Sequence, residues 1–227
     1  MNPKSAVKKL LFGTGPRPAR VHAGLLRGLT IESDAGVDTQ QLTGLYEREI
    51  LRPVRRFAAR ACTALDIGAG EGYYTLYFAS VPGIRNVIAC EPDSKRLRLL
   101  RHNLALNRGF DVKKVSVREV SVGSGGRATL DLETLLKDSI DPILLKIDVE
   151  GAEMDVLKSG AESIAKRDLM LVIETHSAAL EQECIGFLER NGYECGIRKH
   201  GWYRRLVPEL RHMPHNRWLI ADRIGHA

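Results

Sequence analysis

Asp66-Ile67-Gly68-Ala69-Gly70-Glu71-Gly72 follows the apolar run Cys62–Ile67 and leads into Tyr73–Val81, which has a helical pattern. A glycine-rich turn between a buried strand and a helix is where an open α/β sheet brings backbone N–H groups against a nucleotide-like ligand. Small residues are needed there because side chains would hold the ligand off. The spacing is G-x-G-x-G, not the G-x-G-x-x-G that sets a helix N-terminus against a dinucleotide pyrophosphate, so pyrophosphate is not the favoured ligand. Asp66 places a carboxylate at the end of the strand, which suits an ammonium or sulfonium and repels phosphate.

Working outward, Glu91 closes the next apolar run, Asn86–Glu91, 23 residues after Gly68, where a carboxylate accepts hydrogen bonds from ribose hydroxyls. Pro92 forces Glu91 into an extended conformation at the strand end. Further runs without polar alternation follow at Val115–Val120, Ile143–Asp148, Leu169–Glu174, Tyr193–Ile197 and Trp218–Ala221. Such runs are strands buried on both faces. Helical patterns separate them at Ser94–Asn107, Ala152–Lys158 and Ala178–Asn191, with Asp93 or Ser94 capping the first of these three. Strand–helix alternation implies a doubly wound, Rossmann-like α/β sheet. The last two runs lack a long helix between them and read as an antiparallel pair closing the sheet. Ahead of the first core strand, Thr39–Arg60 is helical with a break or new start at Pro53.

The 227 residues allow one large α/β domain or two small ones, and one is favoured: residues 1–40 form an irregular lead-in or short β-structure, and residues 41–227 form the domain. The net charge of +6 is spread along the chain rather than gathered into an arm, which makes nucleic acid an unlikely partner. Leu10-Leu11-Phe12 is too short for a signal core or a membrane span. Cys62, Cys90, Cys184 and Cys195 make no C-x-x-C and read as reduced thiols, so a cytoplasmic location is the default.

Ile143–Asp148 is broken by Lys146 and Asp148, which share one face of a strand. A buried Lys146 ammonium requires a partner, Asp148 first and Glu150 if the chain stays extended. The cluster reads as a site for a substrate hydroxyl or as an internal ion pair, with Glu150 and Glu153 serving the dipole of the following helix. Glu174 and His176 end the fifth strand at the same sheet edge, and His176 is the candidate base, because imidazole is neutral near pH 7. A loop histidine with an ordinary hydrogen bond fits His176 equally well. Asp148, Glu174 and His176 also form a possible oxygen–nitrogen ligand set, but sequence does not bring them to one ion and no metal site is assigned. His212-x-x-His215 has no supporting ligand pattern. Glu47 reads as a cover for the amino-acid end of a cofactor or as a solvated helical glutamate. One of Tyr73 and Tyr74 flanks the ligand while the other packs inward.

Asp66–Thr75 (DIGAGEGYYT), Glu91–Asp93 (EPD) and Leu144–Glu153 (LLKIDVEGAE) together resemble the FkbM-type S-adenosylmethionine-dependent methyltransferases over Gly44 to Asp222. The third motif discriminates best. The resemblance implies a class I methyltransferase sheet of seven strands with the last antiparallel. It also implies S-adenosylmethionine as cofactor and O-methylation of a hydroxyl on a sugar, natural product or other small molecule. Asp66, Gly68, Gly70 and Glu91 match the cofactor positions of the family, with Ala69, Tyr73, Pro92 and Asp148 completing that pocket. Lys146, Asp148, Glu174 and His176 are the catalytic candidates. Gly70 and Glu71 depart from the asparagine and hydrophobic residue common in the family.

Two other readings compete. An NAD-dependent oxidoreductase is opposed by the glycine spacing and by the lack of a Tyr-x-x-x-Lys pair. An RNA-modifying protein draws on the charge and on Trp202, Tyr203, Arg204 and Arg205. Asp-Val-Glu-Gly stands where base amino-methylation needs an Asn-Pro-Pro-Tyr-like motif.

Overall fold

The computed structural model describes residues 15–34, 39–125, 129–205 and 215–223. His212 and residues 1–14 of the lead-in lie outside them. Seven strands form the central sheet: β3 (Thr63–Ile67), β4 (Asn86–Cys90), β5 (Val115–Arg118), β8 (Ile143–Ile147), β9 (Leu169–Thr175), β10 (Tyr193–Arg198) and β11 (Arg217–Arg223). Their order is β10-β11-β9-β8-β3-β4-β5. All neighbours are parallel except β11, which runs antiparallel to both β9 and β10. The expected antiparallel pair is therefore present, with β11 inserted inside the sheet and β10 at the edge. Successive strands depart from β3 toward β4 on one side and toward β8 on the other, so the topological switch lies between β3 and β8.

Side-chain alternation divides the core into two layers. Leu65, Ile67, Leu145, Ile147, Leu171 and Ile173 face one layer, packed with α5 (Leu132–Lys137), α6 (Glu153–Lys158), α7 (Ala161–Lys166) and α8 (Ala178–Arg190). Ala64, Leu144, Met170 and Val172 face the other, packed with α2 (Leu51–Arg60), α3 (Tyr73–Ser80) and α4 (Ser94–Ala105). Pro53 falls in the first turn of α2, where its missing N–H costs nothing. Asp93 caps α4, accepting from the N–H groups of Lys95 and Arg96. Helices α5 and α7, six residues each, were not expected from sequence, whereas the equally short α6 was.

Within the lead-in, β1 (Arg17–Arg20) and β2 (Thr30–Ser33) form an antiparallel hairpin. Two asparagines on or just after α4 anchor it. Thr30 N–H donates to Asn107 Oδ1 (2.8 Å), Asn107 Nδ2 donates back to Thr30 O (2.7 Å), and Glu32 N–H donates to Asn103 Oδ1 (2.7 Å). Asn107→Ala leaves a backbone pair without its partners and should cost about 1–3 kcal/mol. Hydrogen exchange should quicken at Thr30 before it does in β3.

Candidate functional site

The alternation that builds the core also builds the site. Asp66, Lys146 and Glu174 occupy the face that carries Ala64, Leu144 and Val172, at the carboxyl ends of β3, β8 and β9. Asp66 is register partner of Lys146, and Asp148 and His176 continue the same face just past β8 and β9. Three adjacent strands thus change from apolar to ionisable side chains at the switch point. There, α3 and the segment before α2 enclose a cavity of about 700 Å³.

Every residue singled out from the sequence for the cofactor or for catalysis lines this one cavity: Asp66, Gly68, Ala69, Gly70, Tyr73, Glu91 and Pro92 on one side, Lys146, Asp148, Glu174 and His176 on the other. The glycines have different reasons for being glycine. A Cβ at Gly68 would fall on the carbonyl oxygen of Asp148, and one at Gly72 would meet Leu100. Only at Gly70 (φ +53°) is the space open. Sequence reasoning assigned all the small residues to ligand approach, whereas two of the three are required by the chain's own packing and Gly70 alone leaves room for a ligand.

Glu91 is buried and fixed at both oxygens, accepting from Gly70 N–H at Oε2 (2.8 Å) and from Asp93 N–H at Oε1 (2.9 Å). Each oxygen keeps a lone pair for a ligand hydroxyl. Asp66 lies on the cavity floor rather than at its mouth. Thr75 Oγ1 donates to its Oδ2 (2.5 Å), and burial pushes the carboxyl up to about 6 against the opposing pull of Thr75 and Lys146.

Lys146 is the centre of the cluster. Its Nζ is buried, 3.9 Å from Asp148 Oδ2 and 3.8 Å from Glu174 Oε2, and 5.1 Å above the Tyr74 ring. Burial works against its charge, but Asp148, Glu47, Glu174 and Asp66 outweigh burial and hold its pKa above the ordinary lysine value. Both carboxylates stand beyond hydrogen-bond range, and Nζ finds no acceptor among the described residues. Glu150 does not share the strand face, because β8 ends at Ile147 and the chain turns through Gly151 (φ +90°); its exposed side chain reaches the cavity rim instead.

Glu47 is a buried wall residue, not a solvated helical one. It holds the left-handed conformation (φ +40°), the one positive φ outside glycine among the described residues, and accepts from Tyr74 Oη at 2.5 Å. Such a backbone is costly for a non-glycine residue, and nothing in the local sequence signals it. Tyr73 and Tyr74 both border the cavity, ring centroids 5.3 Å apart.

Glu153 is the residue whose role the sequence concealed. As the first residue of α6 it read as decoration of the helix dipole, yet its side chain is fully buried and its Oε1 lies 2.5 Å from His176 Nδ1. That contact leaves Nε2 of His176 toward Asp148 Oδ1 (3.7 Å) and Glu174 Oε1 (4.0 Å). Burial lowers the imidazole pKa, but Glu153, Asp148 and Glu150 together raise it above 6.5. The two partners are 23 residues apart in sequence and meet where the start of α6 lies beside the end of β9. His215 is drawn away to Glu181 (3.4 Å).

Asp148, Glu174 and His176 each offer a ligand atom within 4.8 Å of the others. The Lys146 ammonium stands beside both carboxylates and supplies from the chain the positive charge an ion would bring. All four cysteines are free. Among the described residues, no helix is long and apolar enough to cross a membrane.

Residues 127–195 match the family model described as Methyltransferase FkbM domain, which includes the Leu144–Glu153 motif together with Glu174 and His176. No curated protein matches the sequence. Among solved structures, a methyltransferase FkbM from Methylobacillus flagellatus KT is 19% identical with a TM-score of 0.57, covering 82% of this chain and 53% of that one. An S-adenosylmethionine-dependent O-methyltransferase from Thermotoga maritima is 14% identical (TM-score 0.52; 80% and 66% covered). An rRNA methylase from Streptococcus thermophilus is 12% identical (TM-score 0.52; 79% and 98% covered). The chain thus spans about half the length of the FkbM structure it resembles.

Asp66 gives the site a pH-dependent cost. A carboxyl whose folded pKa is raised favours the fold when protonated, so its contribution is complete below about pH 4 and lost as pH rises through about 6. Asp66→Asn should therefore be more stable than the parent at pH 8 by an amount on the order of 3 kcal/mol and nearly equal to it at pH 4. Urea melts at the two pH values check this, and a variant weaker than the parent at pH 8 would contradict it. The architecture is the class I methyltransferase fold, and the segment that carries the Lys146–His176 cluster bears the FkbM methyltransferase signature.

Proposed function

We propose that the chain is an S-adenosylmethionine-dependent methyltransferase that methylates a hydroxyl on a small molecule. The observation that carries this reading is the charge of the cavity. Eight carboxylates and three Lys/Arg side chains line it, in a chain whose net charge is +6. A dinucleotide pyrophosphate would meet repulsion there, whereas a ligand with ammonium and sulfonium charges meets Asp66 and Glu47. The open face of Gly70 and the held carboxylate of Glu91 fit a ribose beside the glycine loop.

S-adenosylmethionine, when bound, supplies a methyl group on a positively charged sulfur that departs as the neutral thioether with the electrons of the broken bond. The residues of the chain do the rest. His176 Nε2 accepts the proton of the acceptor hydroxyl as the oxygen–methyl bond forms, while Nδ1 stays with Glu153, which fixes the ring's orientation. Lys146 donates to the same oxygen and stabilises the negative charge that develops on it. Asp148 and Glu174 keep the ammonium in place. Tyr73, Tyr74 and Glu47 line the same cavity. The four free thiols fit a reducing, cytoplasmic setting.

Isothermal titration should detect binding of S-adenosylmethionine and S-adenosylhomocysteine and none of NAD. Tight NAD binding with no response to the other two would overturn the proposal. His176 acts as a base only when neutral, so methyl transfer should fail as pH drops through its raised pKa. Glu153→Gln should bring that pKa down toward the ordinary imidazole value, because it removes the buried carboxylate that favours the charged ring. An NMR titration of the His176 ring reads the shift without any acceptor, and an unchanged pKa would leave Glu153 with a structural role alone.

A further inference from the structure

The charge that is spread along the sequence is sorted by the fold onto two unlike faces. Of the helices packed on the Ala64–Leu144–Val172 side of the sheet, α2 carries four arginines, α3 no charged residue, and α4 three arginines and a lysine. None of the three contains an Asp or Glu. On the opposite side, α5, α6, α7 and α8 together carry seven acids against four Lys/Arg, the mixture of signs usual for a solvated layer.

The β1–β2 hairpin joins α2 and α4 into one surface across α3. Arg55 Nη2 donates to Gly24 O (2.9 Å) on the α2 side, and Asn103 and Asn107 hold the hairpin on the α4 side. Arg20 and Arg27 of the hairpin, Arg52 of α2, and Arg98 and Arg101 of α4 are exposed and make no ion pair among the described residues. The acids that border them are engaged: Glu32 by His102 (3.2 Å), Asp222 by Arg60 (2.6 Å) and Arg56 (3.6 Å), and Asp93 by the N–H groups it caps. Arg17, Asp34 and Glu71 have partners of their own, and Glu194 stands beyond Asp222 on the edge strand β10. None of the five unpaired arginines lines the cavity.

Arginine suits phosphate, because its planar fork makes paired hydrogen bonds to two oxygens and its charge persists at every working pH. With α3 between them, the outer rows of α2 and α4 lie about 20 Å apart, at roughly 8–10 Å per neighbouring pair of helices. A nucleotide or sugar phosphate is too small to bridge them, whereas a polymer is not. The large apolar side chains exposed among the described residues, Val112, Ile140 and Trp202, belong to other elements. Docking on an anionic membrane draws on inserted apolar groups, and holding a single strand draws on aromatic rings for its bases. A double helix needs only cations set against its phosphates.

We propose that the α2–hairpin–α4 face binds a double-helical nucleic acid through its phosphates, independently of base sequence, with Arg52 and Arg98 as anchors on its two sides. The proposal goes beyond the methyltransferase reading and does not rest on it: the face is separate from the cavity, and its partner is not assigned as the methyl acceptor.

The test is fluorescence anisotropy of the full chain with labelled RNA and DNA duplexes of about 20 base pairs, between about 50 and 200 mM salt. Either duplex should bind, with log affinity falling against log salt at a slope of about −4, as five phosphate contacts imply. Arg52→Ala combined with Arg98→Ala should lower that slope by about two and weaken binding at least tenfold. The same double variant should hold S-adenosylhomocysteine within about twofold of the parent, and Lys137→Glu on the opposite layer should leave duplex binding unchanged. Absence of duplex binding at the lowest salt, affinity untouched by the double variant, or tighter binding of a single strand of equal length would overturn the proposal. Capture by phosphatidylglycerol vesicles that excess duplex fails to reverse would overturn it as well, in favour of a membrane.

Discussion

Lys146 places a full positive charge in the interior of the protein, on a strand that is otherwise apolar. Dehydrating an ammonium costs several kcal/mol, so the surrounding structure must return most of that energy. It does so through Asp66, Glu47, Asp148 and Glu174, each from a different element, and through the face of Tyr74. The positions of β3, β8, β9, α3 and the segment before α2 are therefore tied to one another by one charge. The arrangement is unbalanced by design of its own sequence: the acids outnumber the cation, and a cavity remains where the imbalance is felt. An interior of that kind is poorly optimised for stability and well suited to a positively charged ligand.

The fold provides the imbalance through register. Parallel pairing sets Asp66 beside Lys146, and the two-residue period of the strands repeats the polar side of each strand just past its end, at Asp148 and His176. The topological switch then opens the sheet edge at that point. The glycine loop contributes in two ways. Gly68 and Gly72 let the loop settle against Asp148 and Leu100, and Gly70 leaves the opening above Glu91. The same turn thus locks the two halves of the sheet together and exposes the backbone to a ligand.

Much of this was legible in the sequence because the signals were local. Apolar runs interrupted by Asp66, Lys146, Asp148, Glu174 and His176 marked both the strands and the residues at their ends, and the distance from Gly68 to Glu91 marked the second carboxylate. The illegible parts depend on contacts across the chain. Glu153 is an ordinary helix-start acid until α6 packs under β9 and buries it against His176. Glu47 needs a left-handed backbone that no neighbouring glycine or asparagine announces. The β1–β2 hairpin lacks strong alternation and is held by side chains of Asn103 and Asn107 from about 70 residues away.

The central claim is that a buried, over-acidic cavity receives a cationic cofactor, and proton linkage tests it most directly. Asp66, with its carboxyl at about 6, is partly protonated at pH 6 when the cavity is empty, and a cation placed beside it must expel that proton. Calorimetric titration with S-adenosylmethionine at pH 6, in two buffers of different ionisation enthalpy, should show a fraction of a proton released, with the release gone at pH 8 and in Asp66→Asn. Heats independent of the buffer, or net proton uptake, would contradict the account.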